Sequence, residues 1–169
     1  LRVLTLFLYV GGEVIAIDTL VLYAETQGIS KDLAPKLGTF SLIALTIGYV
    51  LGIFFVPKYV SQSKALAISA VLGFVFAVGA LLTEGITSIV FIVLLSFAHA
   101  MMWPSIWPLA IEKLGSHTAL GSALLIMAIS GGAVLPLVYG WLVDVLGGDR
   151  HLPYIITLPC YAMILYYSI

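Results

Sequence analysis

Between Glu84 and Glu112 the chain carries no formal charge. The run is long enough to cross a bilayer, whose core asks for about 20 apolar residues. Yet it contains His99, Trp103, Trp107, Pro104 and Pro108, and hydrocarbon asks for none of them. A helix puts His99, Trp103 and Trp107, spaced i, i+4, i+8, on one face. In a membrane such a face is useful only when it looks onto protein or a cavity.

The same punctuation recurs through the whole sequence. Charges and turn residues divide it into six apolar spans, at about 3–24, 37–57, 65–83, 85–111, 119–143 and 153–169. With 62% hydrophobic and 9% charged residues, against about 25% charged in a soluble domain, the chain is expected to be an all-α integral membrane protein. The links Glu25–Lys36, Lys58–Lys64, Glu84, Glu112–Thr118 and Leu146–Leu152 are too short for another domain. Residues 1–169 therefore form one six-helix bundle with antiparallel neighbours. Spans one and four are the odd members of their triplets, as an inverted 3+3 repeat would leave them. With Leu1 in the cytoplasm, Arg2, Lys58, Lys64 and Lys113 lie inside and Lys31, Lys36 and Arg150 outside, a slim excess by the positive-inside rule. Leu1 is not a methionine and Ile169 ends inside an apolar run. A fragment of a longer chain is the expectation.

Glu13 sits about ten residues into the first span, where a charged carboxylate costs roughly 2.5 kcal/mol or more. Thr5, Tyr9 and Glu13 form a polar stripe at i, i+4, i+8. Two readings are open: a cavity carboxylate for substrate hydroxyls, a proton or a cation, or a structural carboxyl bonded to a neighbouring helix. Asp18 lies about 140° around the helix from Glu13, so the two do not pair. A second stripe runs Ser96, His99, Trp103, Trp107. Sugar rings stack their C–H faces on aromatic planes and need polar partners for their hydroxyls, which suits this stripe. The alternatives are helix packing for His99 and an interfacial belt for Trp107. Ser130-Gly131-Gly132-Ala133 and Pro136 read as close helix packing and a bend, and Gly48 and Gly52 read the same way. Pro104 and Pro108 are expected to kink the long fourth span. Cys160 is a lone apolar-run cysteine and is expected to be a small buried hydrophobe. There is no basic run for nucleic acid and no catalytic motif of the H-E-x-x-H, C-x-x-C, Walker or G-x-S-x-G kind. Neither an enzyme nor a cofactor is expected.

Several stretches resemble the sugar:cation symporters of the major facilitator superfamily, in the L-fucose permease and glucose/galactose transporter group. They are Phe7-Leu-Tyr-Val-Gly-Gly-Glu-Val14, Pro57-Lys-Tyr-Val60, Met101-Met-Trp-Pro-Ser-Ile-Trp-Pro-Leu-Ala-Ile111, Leu114-Gly-Ser-His-Thr118, Gly121-Ser122 and Met127-Ala-Ile-Ser-Gly-Gly-Ala-Val-Leu-Pro136, with Gly140 and Asp144. The Trp-Pro-Ser-Ile-Trp-Pro form is most similar to Bacteroidota-type sugar transporters. The resemblance covers nearly the whole chain and is most specific from Trp103 to Pro136.

This resemblance implies the C-terminal six helices of a twelve-helix transporter in the bacterial inner membrane, with Leu1 cytoplasmic. It implies import of a hexose such as glucose, galactose or fucose by symport with a proton or sodium, through alternating access. The acidic residues linked to proton coupling belong to the N-terminal half in that family, so Glu13 becomes a cavity group for sugar hydroxyls. The expected substrate-binding residues are Glu13, Tyr9, His99, Trp103 and Trp107. Gly131, Gly132, Pro104, Pro108 and Pro136 are expected to serve packing or gating. The partners are a monosaccharide, membrane lipid and the missing N-terminal half. A self-sufficient six-helix homodimeric transporter and a membrane assembly protein are the alternatives.

Overall fold

Without water in a hydrocarbon core, an apolar run can satisfy its peptide groups only by coiling, and these runs do coil. The structure is a computed structural model that describes residues 1–112 and 114–169. Lys113, counted above with the inner charges, lies outside the described residues. Arg2–Asp18 (α1) and Leu20–Thr26 (α2) make one span bent by 48°. Ala34–Phe55 (α3) and Gln62–Leu82 (α4) are straight-through helices. Gly85–His99 (α5) and Met102–Ile111 (α6) share a span, as do Thr118–Ala128 (α7) and Gly131–Val145 (α8). Thr157–Ser168 (α9) follows a 3-10 turn at Leu152–Ile156. Four spans are long and apolar enough to cross a membrane, the bent α1–α2 pair is a fifth, and Leu152–Ser168 is a shorter apolar helix. Among the described residues there is no strand.

Each break has a local cause. At the α1–α2 bend the Thr19 hydroxyl donates to the Ile15 carbonyl at 2.6 Å, and Tyr154 Oη, 2.7 Å away, donates to Thr19. Back-bonding of this kind bends helices. The fourth span breaks at Ala100 and Met101, four and three residues before Pro104. That is where a proline ring displaces the preceding turn's carbonyl. Pro104 itself then sits in the first turn of α6, where its missing N–H has no role. Pro108 lies inside α6 without ending it. The fifth span breaks at Ile129 and Ser130, ahead of Gly131-Gly132, while Pro136 is carried inside α8.

The packing has an internal symmetry. α1 packs on α8, α9, α5 and α6, and α5 packs on α4 and α3, while α4 also packs on α9. Exchanging spans one, two and three for four, five and six carries each of these neighbour pairs onto another packed pair. Spans one and four are thus the central pair of a 3+3 bundle. Close approach comes from small residues: Ala65, Ser69, Ala70, Gly73, Ala77 and Ala80, with Leu66, form the buried face of α4. At Gly131 a side chain would run into the Phe7 carbonyl of α1, so the α1–α8 crossing is backbone on backbone. The outer faces of α3, α7 and α8 expose large apolar side chains, among them Ile53, Phe54, Leu137 and Trp141, the last 61% exposed. Such faces suit lipid or a second bundle.

Candidate functional site

The two stripes meet at the centre of the bundle. Tyr9 on α1 lies edge-on to His99 at the end of α5, with ring centroids 6.0 Å apart and planes at 77°. The Tyr9 ring is 6.2 Å from Trp103 on α6, and Trp103 stacks on Trp107 at 5.8 Å with planes 26° apart. Glu13 rises one turn above Tyr9 and stands within electrostatic reach of it and of Tyr49 on α3. Tyr9, His99, Trp103 and Trp107 thus form one contiguous aromatic group, with Glu13 a turn along α1 from Tyr9.

They do not lie at one depth. Glu13, Trp103, Trp107 and Tyr49 are half-buried. Tyr9 and His99 are wholly buried behind them, at 1% and 0% exposure. His99 takes its partner from further inside: its Nε2 is 2.8 Å from Tyr161 Oη on α9, with the two rings stacked at 5.7 Å. His99 Nδ1, Tyr9 Oη, Ser96 Oγ and Ser105 Oγ are buried without a hydrogen-bond partner among the described residues. Thr5, from the same stripe, is occupied by its own helix, donating to the Leu1 carbonyl at 3.1 Å. Asp18 ends α1 and is exposed. A cleft of about 200 Å³ opens beside the wall, lined by Tyr49, Met101, Pro104 and Ser105 and running toward Pro57 and Gln62.

Tyr49 and Tyr161 escape a reading of the sequence because each stands in an otherwise plain apolar span. The available signal is their depth: tyrosines of the interfacial belt belong near span ends, and these two lie well inside. A second polar cluster, at the end of the bundle opposite Leu1, joins Tyr23, Ser88, His151 and the end of α4. Among the described residues no group of three His, Cys, Asp or Glu side chains could hold a metal ion.

The exchange of packed neighbours and the broken central helices define a six-helix bundle of two three-helix repeats. The chain has the fold of a six-helix half of a major facilitator superfamily transporter. Its relatives are glucose/galactose transporters and L-fucose–proton symporters. A glucose/galactose transporter of Brucella abortus is 31% identical over 167 residues, covering 97% of this chain and 40% of that protein. An L-fucose-proton symporter of Haemophilus influenzae is 30% identical over 168 residues, covering 95% and 38%. The chain therefore spans about 40% of the length of the curated relatives it matches, in their C-terminal half. The major facilitator superfamily transporter FucP, solved in the outward conformation, superposes with a TM-score of 0.93 at 25% identity over 99% of this chain and 40% of FucP. A peptide transporter at 15% identity and a TM-score of 0.83 shares the fold. No protein-family model matches the chain.

Proposed function

We propose that the chain is the C-terminal half of a secondary active transporter of the bacterial inner membrane. It imports a hexose such as glucose, galactose or fucose together with a proton or sodium ion. The observation that carries this reading is the wall of Glu13, Trp103 and Trp107, set around the central helix pair of a fold shared with sugar transporters. The stacked indoles offer a flat apolar face to a sugar ring, and the carboxylate accepts hydrogen bonds from its hydroxyls. Tyr9 backs the indoles, and His99 fixes Tyr9 from behind. The facing wall and the coupling carboxylates belong to the N-terminal six helices, and the two bundles rock about the sugar. No prosthetic group takes part.

The test is uptake of labelled hexose by cells making the full-length transporter. Glu13→Gln and Trp103→Ala should each lower uptake about tenfold or more at unchanged expression, the equivalent of about 1.4 kcal/mol of lost interaction. Uptake at the parent level in both variants would remove the wall from the sugar path.

A further inference from the structure

α4 stops abruptly: Thr83 turns to an extended conformation and Gly85 follows with φ +62°. The last carbonyls of a helix have no partners within it, and here side chains from three places supply them. Thr83 Oγ1 donates to the Gly79 carbonyl at 2.7 Å, Ser88 Oγ of α5 to the Ala80 carbonyl at 2.8 Å, and His151 Nε2 reaches the Leu81 carbonyl at 3.0 Å. Two further contacts close the network: Tyr23 Oη lies 2.6 Å from Ser88 Oγ and 2.7 Å from His151 Nδ1. Both ring nitrogens of His151 thus face oxygen, which fixes the ring's orientation.

Counting hydrogens settles the charge this arrangement wants. Four contacts join Ala80, Ser88, Tyr23, His151 and Leu81, so four hydrogens are needed. Ser88 has one and Tyr23 has one. A neutral imidazole has one, leaving a contact without a donor. If Ser88 donates to Ala80, Tyr23 must donate to Ser88, and Nδ1 must then donate to Tyr23. Nε2 must also donate, to Leu81. Only an imidazolium satisfies all four. The surroundings agree: a helix C-terminus favours a cation. Asp149 accepts from the His151 backbone N–H at 2.7 Å, and the carboxylates of Asp149 and Glu84 bear on Tyr23. Arg150, next in the loop, is the opposing charge, and Tyr154 packs its ring edge on Tyr23.

We infer that His151, Tyr23 and Ser88 form a proton-binding site that caps α4 and ties it to α2, α5 and the loop before α9. The bound proton completes the tie, and losing it frees one of the four contacts. The tied form holds one proton more than the untied form. Lower pH therefore favours the tied form and higher pH the untied one. This site is separate from the aromatic wall and does not depend on the cargo.

Nitrogen-15 NMR of the intact transporter, labelled at histidine, reads the site directly. His151→Gln identifies the signal by its loss. The wild-type ring should carry two N–H groups at pH 6. Ser88→Ala removes two of the four contacts, so that Tyr23 can donate to Nδ1 and a neutral ring suffices for the remaining two. The proton affinity of His151 should then fall about tenfold, the effect of one hydrogen bond. Tyr23→Phe should lower it by a similar factor through loss of the acceptor for Nδ1–H. A wild-type ring with a single N–H at pH 6, or equal titration of wild type, Ser88→Ala and Tyr23→Phe, would overturn the inference. Neither outcome bears on sugar uptake.

Discussion

His99 and Tyr161 meet at 2.8 Å with both residues wholly buried. Among the described residues that bond is the only one the imidazole makes, because Nδ1 has no partner there. Tyr161→Phe would leave the ring with no hydrogen bond in a buried place, at a cost of about 1–3 kcal/mol. The thermal unfolding temperature of the detergent-solubilised transporter should fall accordingly, and Tyr166→Phe, at an exposed position, should leave it unchanged. Helical spacing made much of this neighbourhood legible, since i, i+4 arithmetic puts Tyr9 with Glu13 and His99 with Trp103. It gives an angle around one helix, however, and not a depth. The sequence reading therefore set Tyr9 and His99 beside Glu13 and Trp103 on the cavity, whereas the bundle holds them one layer behind. Tyr161 is 62 residues from its partner, and no local pattern joins the two. The same holds for Tyr23 and His151, which sit 128 residues apart.

At the scale of elements, neighbouring glycines carry different weights. Gly131 lies on the Phe7 backbone, which cannot step aside, while Gly132 faces the Val10 and Val14 side chains at 3.0–3.1 Å. Gly131→Ala should therefore destabilise the fold by about 1–3 kcal/mol, the usual cost of overpacking, and Gly132→Ala by much less. Comparing the thermal stabilities of the two variants tests the α1–α8 crossing, and equal losses would contradict it. The run of small residues announced a close contact, but it did not say which glycine meets backbone. Prolines were readable in part. Pro104 breaks its span a turn upstream, as the ring's clash demands, whereas Pro136 rides inside α8 and the break falls at Ile129 and Ser130. The 48° bend at Thr19 was not foreseen: a threonine back-bonds to its own helix without announcing it in the sequence, and the Tyr154 hydroxyl that bonds Thr19 comes from the far end of the chain.

On the scale of the molecule, the sequence marks spans one and four as the odd members of their triplets, and the packing makes them the central pair. The 3+3 order was faintly visible in their polar and aromatic residues and becomes explicit in the exchange of packed neighbours. In the proposed transporter the facing wall of the path lies in another six-helix bundle. Residues 1–169 alone in liposomes should thus take up no labelled hexose, and co-expression with the N-terminal half should restore uptake. Transport by the isolated six helices would instead favour a homodimer. The tryptophans add something of a different kind. The sequence has three: two stack on the wall, and Trp141 looks outward from α8. Indole emission follows the polarity around the ring, so in the proposed transporter the stacked pair is an optical gauge at the sugar face and Trp141 a reference on the outer surface, and motions can be followed without attaching a dye.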